Sequence, residues 1–224
     1  MIKKKRIIGE TDTKVKQENY TAILLKATDY READKLVRLF TVEGGIVNAV
    51  MKGVKKNSAK LKFGAQPFAF CEYNIVEGKG FPTVAGCVPI EDLFGLTQDI
   101  DKYTCASVML EATDRAVGEL PDPNAFIMLM KALKATLYGQ ASPKIILSKL
   151  LQTFYLRGGY EKKLDVEENA GGVLGLAAKI QSSTLNGLSE IDCGEHLDAV
   201  LKRIVKTFEK HFPPELKSAT LLFK

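Results

Sequence analysis

The apolar residues of this chain change period once, near Asp92, and that change limits the architecture to a β part followed by an α part. Before it, apolar residues fall in runs of strand length at 20–26, 35–42, 46–52, 68–76 and 81–88. The fourth run shows the period of two most clearly: Ala69, Cys71, Tyr73 and Ile75 alternate with Phe68, Phe70, Glu72 and Asn74. Glu43-Gly44-Gly45 and Glu77-Gly78-Lys79-Gly80 separate runs with glycines that can take positive φ, as tight hairpins require. After Asp92 the apolar residues recur at helical spacing. One stripe is Tyr103, Ala106, Leu110 and Val117, within 97–118. Another is Phe126, Met130, Leu133 and Leu137, introduced by Asp122-Pro123 as cap and first turn and ended by Gly139. Ser142-Pro143 opens a third helix with Ile146, Leu147, Leu150, Leu151 and Phe154 inward, stopped at Gly158-Gly159. Leu197, Val200, Leu201, Ile204, Val205 and Phe208 mark the last, ended by Pro213-Pro214. These stripes read as core.

About five short antiparallel strands in some seventy residues suit a small closed barrel. The expected class is α+β, an amino-terminal OB-fold barrel followed by a carboxy-terminal helical domain. The expected division is a basic extension at 1–18, the barrel at 19–92 and the helices at 93–224. No run of about 18 apolar residues suggests a membrane span, and the basic start lacks a secretory leader's apolar stretch and cleavage site. Cys71, Cys87, Cys105 and Cys193 are too scattered for a disulfide framework and read as reduced thiols of a cytoplasmic protein.

Charge is distributed unevenly. Residues 1–62 hold fifteen Lys/Arg against seven Asp/Glu, whereas 63–224 hold seventeen against twenty. A basic amino-terminal part points to a polyanionic partner, with a merely solvated basic surface as the alternative. The segment 51–63 concentrates this charge: Lys52, Lys55, Lys56, Lys60 and Lys62, with Gly53, Asn57 and Ser58 favouring a loop. Ammonium groups are compact charges that meet phosphates without base-specific geometry. Arg31, Lys35 and Arg38 would extend the surface from the neighbouring strand. Tyr30, Phe40, Phe63, Phe68, Phe70, Tyr73 and Phe81 are candidates to stack bases, but most read as barrel core and at most one or two are expected exposed.

Catalytic and metal signatures are weak. Gly171-Gly172-Val-Leu-Gly175 lacks the Lys-Ser/Thr of a phosphate loop and reads as a turn entering a helix. Cys193-Gly-Glu-His196 has the spacing of half a zinc site without a second half. With two histidines in the chain, nucleophilic triads have few possible forms, and the expectation is no enzyme, no cofactor and no metal.

The residues also resemble a known family. The stretch 22–41, Ala-Ile-Leu-Leu-Lys-Ala-Thr-Asp-Tyr-Arg-Glu-Ala-Asp-Lys-Leu-Val-Arg-Leu-Phe-Thr, is similar to the opening strands of the RecO family of DNA repair proteins. The resemblance continues through Gly44 to Gly53, the basic loop, Gln66-Pro67-Phe68, Tyr73 to Gly80 and Glu91-Asp92-Leu93-Phe94. It runs more loosely through Leu156-Arg-Gly-Gly-Tyr160, Leu164-Asp165, Gly171 to Leu174 and Leu216 to Leu222. It implies a recombination mediator that binds single- and double-stranded DNA, anneals complementary strands and helps load RecA on DNA coated with single-strand-binding protein. The implied partners are RecR, single-strand-binding protein and, indirectly, the RecA filament, with no membrane. The implied location is the cytoplasm, in association with the nucleoid. The resemblance places DNA contacts on the basic barrel surface, carried here onto Arg31, Lys35, Arg38, Lys52, Lys55, Lys56, Lys60 and Lys62. Many members carry four zinc-binding cysteines in the helical domain; this chain has Glu167, Ala170, Gly175 and Ala178 at those positions. No zinc is therefore expected, and the 160–171 loop must be held by packing or be mobile. The competing reading is a protein-interaction scaffold whose helical domain binds partners while the basic barrel is incidental.

Overall fold

The computed structural model describes residues 16–78, 80–160 and 172–223. The 1–15 part of the expected extension, Lys79 and the loop residues 161–171, with Glu167 and Ala170, lie outside the described residues.

Strands β1 (Gln17–Tyr30), β2 (Asp34–Thr41), β3 (Gly45–Met51), β4 (Phe70–Val76) and β5 (Thr83–Glu91) close a barrel in the order β1-β2-β3-β5-β4. All pairs are antiparallel except β3 with β5, which meet in parallel at Val50 and Thr83. This is the OB-fold topology. β1 serves two neighbours: Gln17 to Ile23 pair with β4, and Ala22 to Tyr30 pair with β2. The register slips between Leu24 and Lys26, so Leu25 is the extra residue that bends the long strand from one partner to the other. β5 starts two residues later than the apolar run at 81–88 suggests. Proline has no N–H for a ladder, and Pro82 instead accepts Val50 N–H through its carbonyl at 2.8 Å, which seals the β3–β5 seam.

The barrel interior holds Leu24, Val37, Leu39, Ala49, Met51, Cys71, Tyr73, Ile75 and Val84. Tyr73 is fully buried, and its hydroxyl donates to the Gly64 carbonyl at 2.8 Å, so the phenol oxygen is satisfied inside the apolar core. Gly64 belongs to the 3₁₀ turn Lys62–Ala65 at the end of the lysine-rich segment.

Helices α1 (Ile100–Ala116), α2 (Pro123–Tyr138), α3 (Pro143–Arg157), α4 (Gly172–Ser182) and α5 (Leu197–His211) follow. Asp99 caps α1 by accepting Lys102 N–H at 2.9 Å, so this helix begins later than residue 97. Asp122 caps α2 by accepting Ala125 N–H at 2.9 Å, with Pro123 in the first turn. α4 starts at Gly172, whose φ of +71° makes the glycine-rich stretch a helix entry. Gly175 and Ala178, on α4, are buried.

The helices cover the outer face of the barrel rather than standing apart. Phe126 of α2 packs against Phe40 of β2 and Phe70 of β4, with ring centroids 5.4 and 6.1 Å away. Tyr103 of α1 meets Phe68 edge-on at 5.7 Å. At the β2–β3 turn, Gly45 has φ +68°, and a Cβ there would lie 2.2 Å from the Glu119 carbonyl oxygen, so only glycine admits this approach. Outward residues of β1, β2 and β4 therefore share one core with α1, α2 and α3, while inward residues form a second core inside the barrel.

Truncating the anchor should show the weight of this junction. Phe126→Ala leaves a cavity facing both Phe40 and Phe70 and is expected to cost about 3–5 kcal/mol, read by urea unfolding of the intact chain.

Candidate nucleic-acid interface

The strand ladders bring three connections to one rim of the barrel. Lys35 lies opposite Met51, and Val50 lies opposite Thr83. The β1–β2 hairpin, the exit of β3 and the entry of β5 are therefore neighbours, although the hairpin and the β5 entry are some fifty residues apart in sequence. The segment after β3 is tied to the hairpin: Lys55 N–H donates to the Ala33 carbonyl at 3.0 Å, and Gly53 N–H donates to Asp34 at 2.7 Å.

The sequence-expected cations divide into those available at this rim and those already engaged. Lys52, Lys56, Lys60 and Lys62 are exposed, and among the described residues none has an ion-pair partner. Lys55 is bonded to Asp29 at 2.9 Å, and Lys55 holds the Asp29 carboxyl below its ordinary range. Both side chains face water, so a phosphate competes with this pair at little cost. Arg31 sits at the hairpin tip with φ 54°, its guanidinium 5.2 Å from the Tyr30 ring centre.

Lys35 and Arg38 are placed differently. Arg38 turns toward the helices, where it donates to Asp114 of α1 and more weakly to Asn48 at 3.4 Å. Lys35 lines a cleft of about 480 Å³ between barrel and helices, with Lys26, Glu111, Asp114, Arg115 and Lys217 among its other walls. Burial pushes Glu111 up, but bonds from Ser218, Lys217 N–H and Arg115 outweigh it and hold this carboxyl below its usual value. The cleft is thus of mixed charge, whereas the segment 52–62 carries five lysines and no acid. Lys26, exposed on β1 opposite Arg38, is a cation that strand reading did not single out, because its place beside Arg38 depends on the bulge at Leu25.

Two of the seven aromatics are exposed. Phe81 is 61% accessible and Tyr30 37%, while Phe40, Phe68, Phe70 and Tyr73 are buried. Phe81 adjoins Pro82, whose carbonyl accepts Val50 N–H two residues before Lys52, so an exposed ring stands near the exit of β3. Charges for a backbone and a ring for base stacking are the two components of a sequence-tolerant single-strand groove.

Among the described residues no three His, Cys, Asp or Glu side chains are grouped as a metal site would need, and no helix is long and apolar enough to cross a membrane. None of the four cysteines is in a disulfide. The pKa of the Cys87 thiol is lowered by a hydrogen bond with the Cys71 thiol and by the Gly64 backbone, against the opposing effect of burial, while that of Cys71 is raised. Cys87 also meets the turn that anchors the lysine segment: a Cβ on Gly64 would lie 2.7 Å from its Sγ.

Residues 15–92 match the family model described as Recombination protein O N terminal. The chain is 32% identical over 142 residues to DNA repair protein RecO of Nocardioides sp. (strain ATCC BAA-499 / JS614), covering 62% of this chain and 58% of that protein. It is 34% identical over 109 residues to DNA repair protein RecO of Heliobacterium modesticaldum, covering 49% and 40%. It is 35% identical over 114 residues to DNA repair protein RecO of Desulfitobacterium hafniense (strain DSM 10664 / DCB-2), covering 50% and 41%. The chain thus spans roughly half the length of these relatives.

The placement of these side chains has two measurable outcomes. Arg38→Ala should destabilise the chain by about 1 kcal/mol, a figure reduced for partial solvent screening, whereas Lys56→Ala should leave urea unfolding unchanged. Iodoacetamide should label Cys87 before Cys71 and Cys105, with a half-maximal rate below pH ~8.5, the ordinary thiol value. Peptide mapping across a pH series reads the order.

Proposed function

We propose, from the premise that the amino-terminal domain of this chain belongs to the RecO family, that the protein acts in DNA repair and recombination by binding DNA at the basic rim of its barrel. Residues 19–92 form the nucleic-acid-binding unit, and 93–224 the helical unit. The observation that carries this reading is the run of Lys52, Lys56, Lys60 and Lys62, exposed and unpaired among the described residues, on a segment that leaves β3 just after Val50 meets the Pro82 carbonyl, next to the exposed ring of Phe81. Lys55 and Arg31 stand ready beside them, and Lys35 and Arg38 flank the site from the junction with the helices. Lysines that neutralise phosphates release counterions and lower the repulsion between two strands. Complementary bases then meet without covalent chemistry, and strand annealing needs no catalytic residue. Family membership extends the proposal to helping load a recombinase on DNA coated with single-strand-binding protein, with RecR and that protein as partners. The proposal includes work in the cytoplasm at the nucleoid.

The scaffold alternative places the binding surface on the helices. A salt-dependent affinity of the intact chain for DNA that disappears on replacing the loop lysines would count against it.

The test is binding to a fluorescent single-stranded oligonucleotide over a salt series, with annealing of its complement followed in the same samples. Lys55→Ala, Lys56→Ala, Lys60→Ala and Lys62→Ala together should flatten the salt slope by roughly 3, at about 0.7 for each phosphate no longer neutralised. Affinity should fall about equally for unrelated sequences. Unchanged affinity at low salt would remove the loop from the mechanism.

A further inference from the structure

The last long helix carries a second basic surface. On α5, Lys202, Arg203, Lys206 and Lys210 are all exposed. At 3.6 residues per turn they fall within an arc of about 100°, and from first to last they span about 12 Å along the axis. The opposite face, Val200, Leu201, Ile204, Val205 and Phe208, is buried.

The stripe is not balanced by its own helix. Asp198 stands four residues before Lys202, the favourable order for an ion pair, yet it bonds Lys144 of α3 at 2.7 Å. Glu209 accepts Leu216 N–H at 2.9 Å. Asp198 is thus neutralised by a lysine of another helix, Glu209 keeps its charge but is held on a backbone N–H, and among the described residues none of the four cations has an ion-pair partner. Lys202, Lys206 and Lys210 are instead like charges at successive i, i+4 spacings, which costs helix stability. The helix dipole favours cations only in the last turn, so it accounts for Lys210 and not for Lys202 or Arg203.

We propose that this stripe is a second nucleic-acid surface, which holds the phosphodiester backbone of another strand while the barrel rim holds the first. The inference rests on the barrel reading given above. A row of point charges on a straight helix suits a linear polyanion, and it reads no base edges. An anionic membrane is a poorer match, because interfacial helices insert an apolar face and that of α5 is already committed to the core. α5 packs mainly on α3 and α4, whereas α1 and α2 meet the barrel. The two basic surfaces thus belong to different parts of the molecule, as simultaneous capture of two strands requires.

The experiment uses the full chain and two non-complementary single-stranded oligonucleotides, one carrying a donor dye and the other an acceptor. The wild-type chain should bring them together and give energy transfer. The variant with Lys202→Gln, Arg203→Gln, Lys206→Gln and Lys210→Gln should keep its affinity for one strand while the transfer falls about tenfold. Lys202→Arg, Lys206→Arg and Lys210→Arg together keep the charge and should keep the transfer, which separates charge from any damage to the helix. Equal transfer by the Gln variant and the wild type would overturn the second surface and leave the barrel reading standing. A wild-type chain that binds neither oligonucleotide at low salt would overturn both.

Discussion

Phe126 rests on Phe40 and Phe70, and this packing turns the outer face of β2 and β4 from a water-facing surface into core. An isolated barrel would leave those rings, with Phe68, in solvent. Covering them decides where the helices go, and the helices decide which cations remain free. Arg38 lies on the covered side and meets Asp114 of α1. The lysines after β3 lie at the rim, which the helices leave open. Gly45 marks how closely the two parts approach, since no side chain fits between that turn and the Glu119 carbonyl.

The rim depends on a second constraint, the closure of the barrel. A single parallel bridge between Val50 and Thr83, reinforced by the Pro82 carbonyl, brings Phe81 beside the exit of β3. Tyr73 and Cys87 then hold the far end of the lysine segment through Gly64. The segment is thus fixed at both ends while its ammonium groups stay in water. This suits a surface that binds a polymer by charge: rigid attachment positions the lysines, and hydration keeps the interaction reversible and sensitive to salt.

The helical part makes the complementary use of charge. At the junction Glu111 accepts from Ser218 and from Lys217 N–H and pairs with Arg115. On α5 the charges are left facing water. The Glu111 cluster stabilises the packing of the carboxy-terminal turn on α1, whereas the α5 stripe sets like charges side by side at a cost in helix stability.

Several of these features follow from local chemistry alone. Period-two alternation and glycine turns mark the strands, and Asp122-Pro123 marks the start of α2, because these signals act through backbone geometry within a few residues. The lysine segment is equally legible, since five lysines among loop-forming residues are a property of composition. Other features depend on neighbours that the chain order does not reveal. The bulge at Leu25, the turn of Arg38 toward Asp114, the mixed charge around Lys35 and the exposure of Phe81 all required closure of the barrel and docking of the helices. The α5 stripe lies between the two cases. Its spacing is written in residues 202–210, but its freedom depends on Lys144 and Leu216 engaging the acids beside it. Sequence determined which residues form strands, helices and a basic loop, because hydrophobic period and charge are local. Tertiary structure decided which of those charges remain available, because pairing and burial are set by residues brought close only by folding.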